Sequence, residues 1–296
     1  MEKTGCTLCP RRCGANRTTG RGQCGMGARL RVARAALHTG EEPCLCGERG
    51  AGAVFFSGCA LHCVFCQNAE ISQRGFGKEI GTAQLAEIFL RLQDEGAQTL
   101  DLVSPTHFAP QIARALERAK PRLRIPVVYN SNGYDSPEAL GMMDGLVEIY
   151  LPDLKYKDAA LSKAYSGAAD YFDVAQAAIQ EMYRQTGPLQ WGANGVLQRG
   201  LMVRHLLLPG CRKDSMAVLE ALSRLAPPRH ILLSLMSQYT PCYRAAAYKE
   251  IDRRVTDFEI DSVRDYAVRL GFEGYGQARS AADSRYTPAF DLTGVW

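Results

Sequence analysis

The stretch Cys59-Ala60-Leu61-His62-Cys63-Val64-Phe65-Cys66 decides how this chain is read. Three cysteines at Cys-x3-Cys-x2-Cys spacing, with an aromatic just before the last, can place three thiolates around one iron–sulfur cube. Four thiolates normally hold a [4Fe–4S] cluster. Three leave one iron free, and an open coordination position is what makes a metal site catalytic rather than structural. The surroundings agree. Gly52 to Ser57 read as a buried strand of apolar and aromatic residues, which Gly58 breaks into the loop. Three core cysteines, or a structural zinc site completed by His62, are the competing readings, and neither accounts for ordered spacing directly after a strand.

Working outward, a second set of cysteines precedes the first. Cys6, Cys9, Cys13 and Cys24 stand at Cys-x2-Cys-x3-Cys-x10-Cys in a segment rich in Gly and Arg and too short to build its own core. Four thiolates so spaced can close a tetrahedral zinc site or a second, fully ligated cluster, and small units of this kind usually need a metal to fold. Cys44 and Cys46 can replace or supplement one of them, and an unliganded leader is the alternative. Residues 1–48 are therefore expected to form a cysteine-rich unit and 49–296 the main domain.

With 296 residues, 46% of them hydrophobic, the chain can bury a substantial core. No run approaches the roughly 20 apolar residues of a membrane span, and the first residues lack the apolar heart of a signal peptide. Cysteines at metal-ligand spacing point to a reduced, cytoplasmic protein. The net charge of +4 conceals an asymmetry: eight Lys and Arg precede residue 41 against Glu2 alone. Such a lobe suits nucleic acid, an acidic protein or an anionic cofactor, or is simply a solvated face.

From residue 50 the pattern alternates. Strands are expected at 52–57, 99–104, 125–130, 147–151, 200–210 and 230–236. Helices are expected from Thr82, as N-cap, to Gly96, then from Pro110, from Ser136-Pro137, over 170–185, 214–225 and 258–270. Alternation implies a parallel sheet, and six units fit a partial (β/α)6 barrel of the TIM type. Polar residues recur where the strands end: Ser104 to His107, Asn130 to Tyr134, Asp153 and Lys155, Arg204 and His205, Gln238 and Tyr239. On the C-terminal face of a parallel barrel such residues converge on one site. Cys211 and Cys242 lie near two of these ends, as core residues or as thiol hydrogen donors.

Together these segments resemble the pyruvate formate-lyase activating enzymes of the radical S-adenosylmethionine (SAM) superfamily, in a branch with an N-terminal cysteine segment. The likeness runs over residues 1–275 and is carried by Phe-Phe-Ser-Gly-Cys at 55–59, Cys-Gln-Asn at 66–68, Pro-Thr-His-Phe at 105–108, Tyr-Leu-Pro-Asp-Leu-Lys at 150–155 and Val-Arg-His-Leu-Leu-Leu-Pro-Gly at 203–210. It implies that Cys59, Cys63 and Cys66 hold a [4Fe–4S] cluster whose open iron takes the amino and carboxylate groups of SAM. It further implies that Phe65 flanks the adenine, that Ser131-Asn132-Gly133 lies near the ribose and carboxylate, and that Asp153 helps bind a monovalent cation. Lys155 would face the SAM carboxylate, and Arg204 a substrate glycine loop. Two departures stand out. Ser104 to His107 replace a Gly-Gly-Glu segment, leaving Thr106, His107 or a backbone carbonyl for the SAM amino group, and Asn130 replaces an Asp.

The resemblance implies reductive cleavage of SAM to methionine and a 5′-deoxyadenosyl radical, with a flavodoxin- or ferredoxin-type electron donor and a glycyl-radical protein as substrate. Two other readings stay open: radical modification of a small molecule, a peptide or an RNA, and a zinc or iron–sulfur module that binds or transfers electrons without SAM.

Overall fold

The computed structural model describes residues 5–277 and 288–296. Its strands are β1 (Arg31–His38), β2 (Ala51–Phe56), β3 (Lys78–Glu79), β4 (Leu100–Val103), β5 (Val127–Ser131), β6 (Ile149–Pro152), β7 (Gln190–Trp191), β8 (Leu197–Leu206), β9 (Ile231–Met236) and β10 (Glu273–Gln277). The helices are α1 (Pro43–Cys46), α2 (Ala69–Ser72), α3 (Thr82–Asp94), α4 (Ala109–Ala119), α5 (Pro137–Gly141), α6 (Ala159–Ser166), α7 (Tyr171–Thr186), α8 (Arg212–Leu225) and α9 (Asp257–Arg269).

One sheet runs in the order β10-β9-β8-β6-β5-β4-β2-β1-β3, with β7 paired to β8. Strands β2, β4, β5, β6, β8, β9 and β10 are parallel, and β1 closes the other side antiparallel to β2 and β3. All six residues of β2 and all those of β4, β5 and β6 are buried. A parallel sheet covered on both faces reads as unbroken apolar runs, which is why these strands were visible in the sequence. The expected partial (β/α)6 barrel is the fold observed, lengthened by β10.

The expected helices sit within two or three residues of their positions. Ser136 caps α5, its Oγ accepting from Ala139 N at 3.1 Å. Helix α3 differs in detail: Gly81 is the N-cap and Thr82 the first helical residue, without the side-chain bond expected of it. Strand β1 falls inside the stretch 1–48, yet its Val32, Ala33 and Ala35 are buried in the main sheet. Cys44 and Leu45 of α1 pack there too, against Val128 and Ile149. The cysteine-rich lobe proper is thus residues 5–30 among those described.

Candidate functional site

Because the central strands are parallel, the loops leaving β2, β4, β5, β6 and β9 emerge on one edge of the sheet, joined there by the last turn of β8. They surround a cavity of about 260 Å³. Cys59, Cys63 and Cys66 all line it, from the loop between β2 and α2. Each thiol has a hydrogen-bonding neighbour: Asn132 Nδ2 donates to Cys59 Sγ at 3.2 Å, Ser166 Oγ is 3.0 Å from Cys63 Sγ, and Ser72 Oγ is 3.2 Å from Cys66 Sγ. Burial pushes the Cys59 thiol up to about 12 and Cys63 to about 11, and it raises Cys66. Burial thus disfavours the thiolates, which a bound metal stabilises.

Opposite the thiols lie the ends of β5 and β6. Asn130, Ser131, Asn132, Asp153 and Lys155, at or just past those strand ends, line the same cavity. Lys155 Nζ is paired with Asp153 Oδ2, the two side chains 13% and 22% exposed. Burial works against the lysine's charge, and the Asp153 carboxylate, with Cys63 nearby, outweighs it, so the ammonium is retained. The backbone here is drawn tight. Gly133 adopts φ +76°, and a Cβ there would lie 2.1 Å from the Asp153 carbonyl, so only glycine fits. The Tyr171 hydroxyl lies 2.9 Å from Asn132 O and 2.8 Å from Asp153 O and accepts from Lys155 N. Tyr171 thereby fixes both strand ends, a role with no local signature in the sequence.

Other expected residues stand elsewhere. Thr106 and His107 belong to a short 3-10 turn, Thr106–Phe108, that rolls them inward, away from the cavity. Thr106 Oγ1 donates to Asp135 Oδ1 at 2.6 Å, and His107 Nε2–H donates to Ser57 O at 2.7 Å. Neither faces the thiols, which corrects their assignment to SAM. At the same strand end Ser104 does line the cavity, with an unusual φ of +60°. Phe65 is buried edge-on against Tyr239, ring centroids 5.8 Å apart, and packs behind the cavity instead of lining it. Cys242 donates to the Phe65 carbonyl at 3.1 Å.

Arg204 lines the cavity but turns its fork to two carboxylates that the sequence reading overlooked. Its Nε donates to Glu42 Oε1 at 2.8 Å and its Nη2 to Glu42 Oε2 at 2.5 Å and to Glu41 Oε2. Glu42 is completely buried and Glu41 nearly so. Burial opposes the charge on Glu42, and Arg204 overcomes it, holding the carboxyl below its usual range. The guanidinium is engaged within the fold, not presented to a substrate loop. Gln238 brings a further group, its Oε1 buried in the cavity wall and without a hydrogen-bond partner among the described residues.

The arginines of the first 40 residues are largely used internally. Arg11 donates to Ala60 O and Gly167 O, Arg17 to Gly27 O and His107 O, Arg12 pairs with Glu138, Arg31 with Glu79 and Arg34 with Asp291. Cys46 points to His38 O at 3.5 Å, and with Cys44 in the core neither joins the earlier four cysteines. His62 is bonded through Nδ1 to Gln73 Oε1 at 2.7 Å. Among the described residues no group of three or more Cys, His, Asp or Glu side chains that could hold a metal ion is found. No described helix is long and apolar enough to cross a membrane.

Residues 53–163 match the sequence profile of the radical SAM superfamily. Over 282 residues it is 29% identical to the uncharacterized protein MJ0674 of Methanocaldococcus jannaschii, covering 90% of this chain and 75% of that protein. Among solved structures, Streptococcus suis SuiB bound to the precursor peptide SuiA aligns with a TM-score of 0.52 and 13% identity over 74% of this chain. The match spans 46% of SuiB, about half its length. Methylornithine synthase (PylB) aligns with a TM-score of 0.50 and 14% identity, over 73% of this chain and 63% of that one. These likenesses are of fold.

Proposed function

We propose that this chain is a radical SAM enzyme, built on a cluster at Cys59, Cys63 and Cys66. The observation that carries it is the shared cavity: three thiols on one wall, Asn132, Asp153 and Lys155 on the other, within a domain that matches the superfamily. The donor set fits a [4Fe–4S] cluster with one open iron, being three thiols and all sulfur. When bound, the cluster and SAM supply one-electron cleavage of the C5′–S bond, giving methionine and a 5′-deoxyadenosyl radical that takes hydrogen from a substrate.

The residues of the chain then have distinct tasks. Asn132 and Ser166 donate to thiolate sulfurs, steadying their charge. Lys155 offers a buried cation to the SAM carboxylate, and Asp153 holds that cation in place. Ser131 is oriented by Asp135, its Oγ donating to Oδ2 at 2.5 Å. The unpartnered Gln238 Oε1 is an acceptor suited to a SAM amino or ribose hydroxyl group. The apolar wall of Phe55, Phe56 and Ile71 keeps water from the reaction.

For the hydrogen donor we infer the glycine of a glycyl-radical protein, on the strength of the segments at 105–108, 150–155 and 203–210. Arg204 does not support that choice, because Glu41 and Glu42 hold it. Radical modification of a small molecule, a peptide or an RNA is the second reading. The test is anaerobic reconstitution with iron and sulfide, reduction with dithionite and SAM, and chromatography of 5′-deoxyadenosine for wild type and Cys63→Ala. Product that the substitution abolishes supports the enzyme, and deuterium carried into 5′-deoxyadenosine from a labelled candidate identifies the donor. Absence of product from a protein holding a reducible cluster overturns the reading.

A further inference from the structure

The N-terminal lobe holds a second set of thiols, and its backbone is shaped around them. Residues 5–30 contain no helix or strand, and their buried apolar side chains are few: Cys9, Cys24, Met26 and Leu30. A segment so poor in core needs another source of order. Cys6 N donates to Ala15 O at 3.0 Å and Gly14 N to Cys6 O at 3.1 Å, closing a loop that brings Cys6 beside Cys13. The turn at 22–25, Gly25 N to Gly22 O at 2.9 Å, returns Cys24 to the same place. A Cβ on Gly22 would lie 3.4 Å from Cys13 Sγ and 3.5 Å from Cys24 Sγ, so the two sulfurs flank one point.

Left-handed residues follow two of the cysteines directly and turn the chain there: Gly14 at φ +65° and Gly25 at φ +79°. Arg17, buried and anchored on Gly27 O and His107 O, sets a cation 4.0 Å from Cys6 Sγ. Cys6, Cys13 and Cys24 are thus drawn together beside a fixed positive charge, and the buried Cys9 lies in the loop that Cys6 and Gly14 close.

We propose that Cys6, Cys9, Cys13 and Cys24 hold a second, fully ligated [4Fe–4S] cluster. The four side chains form an all-sulfur donor set, the set that a fully ligated cluster takes. A cube assigns each thiolate its own iron. The site does not depend on the function proposed above. It lies against the other loop, Cys59 N donating to Cys24 O at 3.2 Å.

The test is a metal count on the full-length chain, reconstituted anaerobically with ferrous iron and sulfide and desalted, with zinc measured in the same sample. Wild type is expected to hold about eight irons and no zinc, and Cys59→Ala/Cys63→Ala/Cys66→Ala about four, with the absorption of an iron–sulfur cluster. Adding Cys9→Ala and Cys24→Ala to the triple variant removes that remainder, while Cys44→Ser leaves the wild-type count unchanged. One zinc without iron in the triple variant, or no metal there beside four irons in wild type, overturns the proposal. Should the triple variant not fold, Cys9→Ala/Cys24→Ala in the otherwise wild-type chain decides: loss of about four irons supports the site, and an unchanged iron count rejects it. Four irons in both wild type and the triple variant would keep this site and sink the cluster at Cys59, Cys63 and Cys66.

Discussion

The backbone N–H of Cys59 donates to the carbonyl of Cys24 across 3.2 Å, so the loop that carries Cys59, Cys63 and Cys66 hangs on the last cysteine of the N-terminal lobe. Gly58 makes that approach possible. It adopts φ +90°, and a Cβ there would lie 2.3 Å from Met26 Cγ and 2.8 Å from Cys24 O. Gly58→Ala therefore adds backbone strain to a steric conflict, costing about 2 kcal/mol or more. A melting temperature lower by several degrees is expected, with less iron retained on reconstitution. Wild-type values for both would show that lobe and loop are not joined this way.

How much of this was readable beforehand follows from where each interaction lies along the chain. The Cys-x3-Cys-x2-Cys loop and the strands β2, β4, β5, β6, β8 and β9 were legible because spacing and apolar runs are local signals. Strand β1 was not, since Arg31 and Arg34 interrupt its apolar face and its partner is an antiparallel neighbour. The Arg204–Glu42 pair spans 162 residues and leaves no mark on either segment. Thr106 and His107 misled for a different reason: they do follow a strand, but one 3-10 turn rotates them under Asp135 and Ser57.

Acid should expose two buried histidines. Burial depresses His107 and His205 to about 4, against 6.5 for the free side chain, so both are neutral in the fold. Between these values the unfolded chain binds protons that the native chain does not. The stability they contribute is fully present above about pH 6.5 and is lost as pH falls toward 4, by about 1.4 kcal/mol per pH unit for each histidine. His107→Gln, which keeps an N–H for Ser57 O, should remove one histidine's share of the slope. Urea unfolding of both proteins at pH 7, 6 and 5 measures it, and parallel pH profiles would contradict the burial of this ring.

Lys155 is expected to matter to SAM more than to folding. Lys155→Met removes the cation between the Asp153 carboxylate and Cys63 and leaves Asp153 facing the cavity without its partner. Formation of 5′-deoxyadenosine should fall by about 30-fold or more, equivalent to roughly 2 kcal/mol. Pairing the change with Asp153→Asn should restore any lost thermal stability without restoring product. If the double variant regained SAM cleavage, the lysine would be serving the fold alone.

Arg204 presents the opposite case. Glu42 is fully buried and Glu41 is 8% exposed, so Arg204→Met strands two carboxylates in the interior. Breaking such a pair costs about 3–5 kcal/mol, whereas neutralising every member costs far less. Arg204→Met should thus be strongly destabilised in urea, and Arg204→Met/Glu41→Gln/Glu42→Gln should recover most of the loss, the recovery measuring the coupling. The pH dependence follows from the same contact. The Glu42 carboxyl is held below its usual 4.5, so its pairing contributes stability above that value, lost as pH falls through the lowered one. In Arg204→Met the carboxyl rises instead, and moderate acid relieves the variant while it weakens wild type. The stability gap between them should therefore narrow from pH 7 to pH 4. A residue that served only to touch substrate would change KM, with neither the destabilisation nor the narrowing.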